Sequence, residues 1–264
     1  MTLRWVPGWN GLNEPEAVSY VAAVEAADGQ ELEFGVARAI NDFVVGCKQD
    51  KIWDAIKACC ILAGARTTNG ALVPLVGTAP TPNNFDLVGD TDYDRKTGLV
   101  GDGSTKYLNS NISLIDIPVS STSASVYISQ ATSTVGTYLA SNYAGGGNEF
   151  LAIQPNTSPD VMYFASRQDG LISAGAGSAT GFVGSDRSSL TSYTARIQGS
   201  ETIITRTAQT ARDSQVLIFA RNQTPVSVHS DGRLAFYSIG ESLDLALLDT
   251  HVSNLITAIG VAIP

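Results

Sequence analysis

Cysteine is scarce in this chain and badly placed for cross-linking: Cys47, Cys59 and Cys60 all fall in the first quarter of 264 residues, two of them adjacent. Neighbouring cysteines cannot easily bridge each other, so the three read as small buried apolar side chains rather than a disulfide framework. Histidine is scarcer still, His229 and His251 being isolated from one another and from the cysteines. No zinc-ligand spacing exists, and neither a metal nor a cofactor is expected. Basic residues are outnumbered, 16 Lys and Arg against 25 Asp and Glu, for a net charge of −9. A chain of that sign is repelled by phosphate backbones and anionic bilayers, which argues against nucleic acid as a partner. No run approaches the ~18 consecutive apolar residues of a membrane span. Met1 to Asn13 (MTLRWVPGWNGLN) lacks the apolar stretch of a signal peptide, so export by that route is not expected.

What is present is a core-forming composition, 44% hydrophobic and 16% charged, arranged in two regimes that switch near Leu75. After an arm over residues 1–13, the segment 14–76 has helical spacing. Glu14 to Ala27 is rich in Ala, Val and Glu, with Asn13 as N-cap, Pro15 in the first turn and Asp28-Gly29 as the break. Val36, Ile40, Phe43, Val44 and Cys47 then form the stripe of an amphipathic helix. Ile52, Trp53, Ile56 and Cys60 suggest a third helix ending near Gly64, with Trp53 on its buried face, where Trp53→Ala would cost about 3–5 kcal/mol.

From residue 77 to 264 the pattern is strand and turn, closed by one helix. Alternating runs at Ser125 to Ile128, Phe150 to Ile153, Val161 to Ala165, Tyr193 to Ile197, Thr202 to Thr205, Val216 to Ala220 and Leu234 to Ile239 are separated by GDGS, AGGG, AGAG and SDGR. No crossover helices intervene, so the expected fold is mainly β: an antiparallel β-sandwich with an N-terminal helical module. Leu248, Val252, Leu255, Ile256 and Ile259 make an apolar stripe for a final helix, with Ser242 able to cap it and Asp244 suited to its first turn.

Three blocks carry a resemblance: AINDFVVGCKQDKIWDAIKACCI (Ala39 to Ile61), TGLVGDGSTKYLNSN (Thr97 to Asn111), and IFARN with GRLAFYSIGESLDLALLDTHVSNLITAI (Ile218 to Ile259). In that order they resemble phage tail-fibre and virion structural proteins with a C-terminal concanavalin A-like, LamG-type jelly roll. The resemblance implies that Gly101 to Leu108 forms an outer hairpin and that Ala235 to Leu243 leads from a strand into the terminal helix. It also implies a virion protein assembled in a bacterial host, with other virion proteins and a host-surface glycan as partners; the narrow sandwich, the apolar helices at both ends and the tryptophans Trp5 and Trp9 lead to the expectation of a homo-oligomer.

Glycoside cleavage needs two carboxyl groups close together, whereas Glu149, Glu201 and Glu241 stand alone and no E-x-D run occurs. No G-x-S-x-G surrounds a nucleophile, and GLVGDGSTK lacks the glycine before Lys106 that a phosphate loop requires, so it reads as a hairpin turn. An enzyme is not expected. Asp90, Asp92 and Asp94 alternate in GDTDYD but lack the glycine-directed turn and later bidentate acid of a calcium loop. The sugar-site candidates are Asn142, Tyr143 and Asn148, flanking the Ala144-Gly145-Gly146-Gly147 loop with amides for hydroxyls and a ring for stacking. Trp5 and Trp9 in the arm are candidates for attachment to the virion. A capsid or tail decoration protein without a host ligand is the competing reading, and a host-glycan hydrolase the third.

Overall fold

In the computed structural model, residues 12–141, 150–158, 160–168, 170–210 and 213–264 are described. The first two helices form where expected, α1 (Pro15–Asp28) and α2 (Phe34–Gln49). Pro15 sits in the first turn, where its missing N–H leaves no bond unmade, and Gly29 ends α1 in the left-handed region at φ 65°. Asn13 does not cap α1: Glu14 holds that position. The Asn13 and Glu14 amides instead donate to Asn41 Oδ1 on α2, at 3.0 and 3.1 Å.

The expected third helix is absent. Trp53–Ala55 makes one 3-10 turn, and Ile56–Ile61 is a strand, β1, five of whose six side chains are buried. A strand buried on both faces loses its alternation, and a short apolar run of that kind cannot be told from a buried helix by period alone. Here Cys59 faces the helices while Ala58 and Cys60 face the opposite side. Trp53 is only half-buried, with Lys48 Nζ 5.8 Å from the centre of its ring.

Two further helices are α3 (Thr68–Ala71) and α4 (Leu245–Ala262). Asp244, not Ser242, caps α4, accepting from the Ala246 and Leu247 amides; Ser242 donates to Asp186 at 3.0 Å. By length and mean hydropathy, 18 residues at 1.4, α4 is apolar enough to cross a membrane, a property that counting consecutive apolar residues missed. Its stripe of Leu245, Leu248, Val252, Leu255, Ile256 and Ile259 is buried within the fold.

The strands make two antiparallel sheets. Sheet A, of eight strands, runs β13 (Ser200–Thr205), β12 (Ser192–Ile197), β11 (Gly181–Arg187), β6 (Thr122–Gln130), β15 (Arg233–Gly240), β4 (Gly98–Val100) and β3 (Tyr93–Asp94), with β1 also on β15. Sheet B, of seven, runs β10 (Ile172–Ser173), β9 (Asp160–Gln168), β8 (Phe150–Thr157), β7 (Leu139–Ser141), β14 (Gln215–Ile218), β5 (Tyr107–Ser113) and β2 (Thr81–Asn83). The expected antiparallel sandwich is therefore present, and each alternating run found in the sequence lies in or overlaps one of these strands. Gly101 to Leu108 is not a hairpin, however. It joins β4 of sheet A to β5 of sheet B and so crosses the sandwich. Asp102 makes this turn; partial burial pushes its pKa up, but bonds donated by the Thr105 hydroxyl and by the Lys106, Thr105 and Ser104 amides outweigh it and hold the carboxyl well below the usual range.

Between the sheets lies one core, including Leu99, Leu108, Val126, Ile128, Leu139, Ile153, Phe164 and Val183. A second core joins α1, α2 and α4 to the other face of sheet A through Cys59, Ile61, Phe182, Ala235 and Phe236. Register shifts around Leu234 and Phe236 let β15 serve both: Leu234 and Tyr237 point into the sandwich, Ala235 and Phe236 toward the helices. Phe236 meets Phe43 of α2 edge-on, ring centres 5.8 Å apart. Helix α2 approaches α4 closely where Gly35 faces Ala262, since a Cβ there would lie 2.7 Å from the alanine Cβ. Asp249 of α4 pairs with Arg196 of β12 at 2.9 Å, and His251 contacts Asp50 at the end of α2 at 2.7 Å.

Phe236→Ala is therefore expected to lower the unfolding free energy by about 3–5 kcal/mol, and Trp53→Ala by clearly less, because that side chain is already partly exposed. Urea unfolding of both variants checks the order; an equal or larger loss for Trp53→Ala would contradict this packing.

Candidate functional site

Of the four sheet faces, two meet in the sandwich core and one lies under the helices, which leaves the outer face of sheet B. Alternation decides what it presents. Ile153 and Phe164 are core residues paired across β8 and β9, so the next pair, Gln154 opposite Tyr163, points outward, with Ser173 of β10 beyond Tyr163. Arg221, in the connection after β14, donates through Nη2 to Gln154 Oε1, and Thr137 Oγ1 lies 3.4 Å from the same oxygen. On β5, Tyr107 precedes core residue Leu108 and so shares this face; its ring is 6.3 Å from that of His229.

These residues form a polar band across the face. Tyr107, Tyr163 and Arg221 are half-buried, while Gln154 is buried and held by two neighbours. Burial lowers the pKa of Arg221, and it lowers that of His229 against an opposing pull from Asp102. A buried, pre-oriented amide with hydroxyls, a guanidinium and two partly exposed rings can exchange hydrogen bonds and offer flat apolar surface to a polyhydroxylated ligand. The next row of the same face is apolar instead: Ala140, Ala152 and Ala165, all fully buried, with Leu171 packed against them.

The residues singled out from the sequence, Asn142, Tyr143 and Asn148 for sugar and Trp5 and Trp9 for attachment, lie outside the described residues. The strands that bracket the first three, β7 and β8, belong to this outer face. Gln154, Tyr163 and Arg221 were missed by sequence reasoning. Outward positions of Gln and Tyr in adjacent alternating strands were a signal for the first two, whereas Arg221 is brought in from 67 residues away. The three aspartates of GDTDYD do not share a centre. Asp90 accepts from the Thr68 amide, Asp92 from Lys106 and the Asp86 amide, and Asp94 from Thr97 and the Lys96 amide.

A separate notch of about 170 Å³ lies where α4 begins, lined by Asp186, Thr194, Glu201, Leu243, Asp244 and Leu245. Burial raises the Asp186 pKa to about 6, Asp244 and Glu201 adding to it while bonds from the Leu243 amide and Ser242 hydroxyl oppose it.

No known family model matches the chain, and no curated protein matches it in sequence. Among solved structures, it is similar to the binding domain of botulinum neurotoxin serotype D, at 11% identity and TM-score 0.49 over 75% of this chain and 50% of that one. It is also similar to the CBM40 of Ruminococcus gnavus IT-sialidase, at 10% identity and TM-score 0.42, covering 55% of this chain and 92% of that one. The enzymatically active domain of tailspike protein 2 from bacteriophage CBA120 matches at 10% identity and TM-score 0.41, covering 66% of this chain but only 29% of the tailspike. At these identities the likeness does not extend to any site.

Because the Asp186 pKa is raised in the fold, its neutral form contributes stability that is complete below the ordinary carboxylate range and is lost as pH rises through about 6. Asp186→Asn should flatten the decline in urea midpoint between about pH 4 and pH 7. An unaltered slope would show that the decline comes from other groups.

Proposed function

We propose that this chain is a non-enzymatic virion protein of the tail-fibre or adhesin type that holds a host-surface glycan on the outer face of sheet B. The observation that carries this reading is the half-buried trio of Tyr107, Tyr163 and Arg221 on the outer face of sheet B, with Gln154 and Thr137 buried behind Arg221 as its support. Every member is neutral or cationic, which suits binding; glycoside cleavage works through two carboxyl groups, about 5–5.5 Å apart in retaining enzymes. The resemblance of the three sequence blocks, in their order, to phage tail-fibre proteins is what supports the virion setting, in which other virion proteins and further copies of this chain are the partners.

A half-buried band of this kind removes little apolar surface from water and exchanges hydrogen bonds with solvent nearly one for one, so single-site affinity falls around the millimolar range, about −4 kcal/mol. Many copies on one particle then supply adhesion, since linked contacts can exceed single-site affinity by about 10²–10⁴.

The test is NMR titration of the protein with oligosaccharides released from the host surface. Tyr163→Ala is expected to weaken binding by about tenfold with little change in the unfolding midpoint, because the side chain is partly exposed and outside the sandwich core. If no host oligosaccharide shifts resonances of the wild-type band, the adhesin reading fails and the ligand-free decoration role takes its place.

A further inference from the structure

The sandwich interior contains two full positive charges. Arg167 on β9 and Arg187 on β11 are each 0% exposed, and among the described residues neither forms an ion pair with a carboxylate. A buried charge is ordinarily paired, because the hydration it gives up is not otherwise replaced. The charge that bears on Arg167 is the like charge of Arg187.

The two guanidinium groups differ in how they are satisfied. Arg187 donates from Nε and Nη2 to the Ser166 carbonyl at 2.9 and 2.6 Å, and from Nη1 to the carbonyls of Ser189, Ser192 and Arg206; the Tyr193 ring lies 5.2 Å from its central carbon. Arg167 donates from Nε to Thr122 Oγ1 at 2.9 Å and from Nη2 to the Ile117 carbonyl at 2.5 Å, and its Nη1 has no acceptor. Two buried hydroxyls on the same two strands, Ser166 Oγ on β9 and Ser185 Oγ on β11, also lack a partner.

Backbone geometry brings these groups to one end of the interior. Alternation along β9 would turn Arg167 outward with Ala165, but its φ of 56° breaks the alternation, and its guanidinium reaches across to Thr122 of sheet A. A non-glycine residue in the left-handed region is uncommon, and such strain is kept where the surroundings require the side chain's position. On β11, Ser185 and Arg187 share a face, and Arg187 is tied to the Ser166 carbonyl.

We infer that this end of the sandwich holds one small monovalent anion of chloride size, bound by Arg167 Nη1 with the hydroxyls of Ser166 and Ser185. Three unpartnered buried donors beside two uncompensated cations call for negative charge, and their full burial favours a single-atom ion. Gln168 Oε1, an acceptor on the residue after Arg167, also lacks a partner. An ordered water would meet that acceptor but would leave both cations uncompensated, so water is the rival occupant.

Because the site is sealed, the protein is unfolded and refolded in sodium chloride or sodium gluconate at one ionic strength, then titrated with urea. For a single ion bound only by the folded state, each tenfold rise in chloride above its Kd lowers the unfolding equilibrium constant about tenfold, while gluconate has no such effect. Arg167→Met should remove the chloride dependence. Should that variant fail to fold, crystals of wild-type protein refolded in bromide decide the matter: an anomalous peak within hydrogen-bonding distance of Arg167 Nη1 supports the site. Superimposable chloride and gluconate curves with only water beside Nη1 overturn it, as does chloride dependence that survives in Arg167→Met without a bromide peak.

Discussion

The structure depends on β15 being buried on both faces. A strand in a sheet with one wet face alternates apolar and polar residues, but Leu234, Ala235, Phe236 and Tyr237 are consecutive and all buried. The register shifts around Leu234 and Phe236 make this possible, dividing the four between the sandwich core and the helix core. Through β15 the two cores share one backbone. Its partners β1 and β6 inherit the arrangement, which is why Ile56–Ile61 is apolar on both sides and why α2 has Phe43 against Phe236.

That two-sided burial also determines which sheet face is left without helices. Once helices cover one face of sheet A and sheet B covers the other, the broad sheet surface left is the outer face of sheet B, and a polar band lies there. The polar contacts that tie α4 down, the Arg196–Asp249 ion pair and the contact of His251 with Asp50, join it to β12 and to the end of α2, on the far side of the molecule from that band. One side of the fold is thus given to helix packing, while the opposite side carries a polar band beside a buried alanine row.

The interior is not uniformly apolar. At one end of the sandwich, Arg167, Arg187, Ser166 and Ser185 replace the aliphatic residues that fill the middle. Arg187 is satisfied almost wholly by backbone carbonyls at strand ends, where the ladder leaves acceptors over. This use of buried cations stitches β9, β11 and the segment after β13 together without carboxylates, and it contrasts with the exposed carboxylate turns of Asp86 and Asp102, which are satisfied by local amides.

Much of the architecture was legible in the chain alone, because it follows from period. Val36, Ile40, Phe43, Val44 and Cys47 repeat at helical spacing, the strands from Ser125 onward alternate, and the terminal stripe from Leu248 to Ile259 returns to helical spacing. Local chemistry also sufficed for the break at Gly29 and the turn at Asp102. What the chain could not declare was burial from two sides, which erases period: β1 therefore resembled a helix, and the Gly101 to Leu108 segment resembled a hairpin although its two strands pair in different sheets. The Gln154, Tyr163 and Arg221 grouping and the Arg167 and Arg187 pair were likewise decided only in three dimensions, since each joins residues from separate strands whose neighbourhood depends on strand order, and strand order is set by which faces can be buried together.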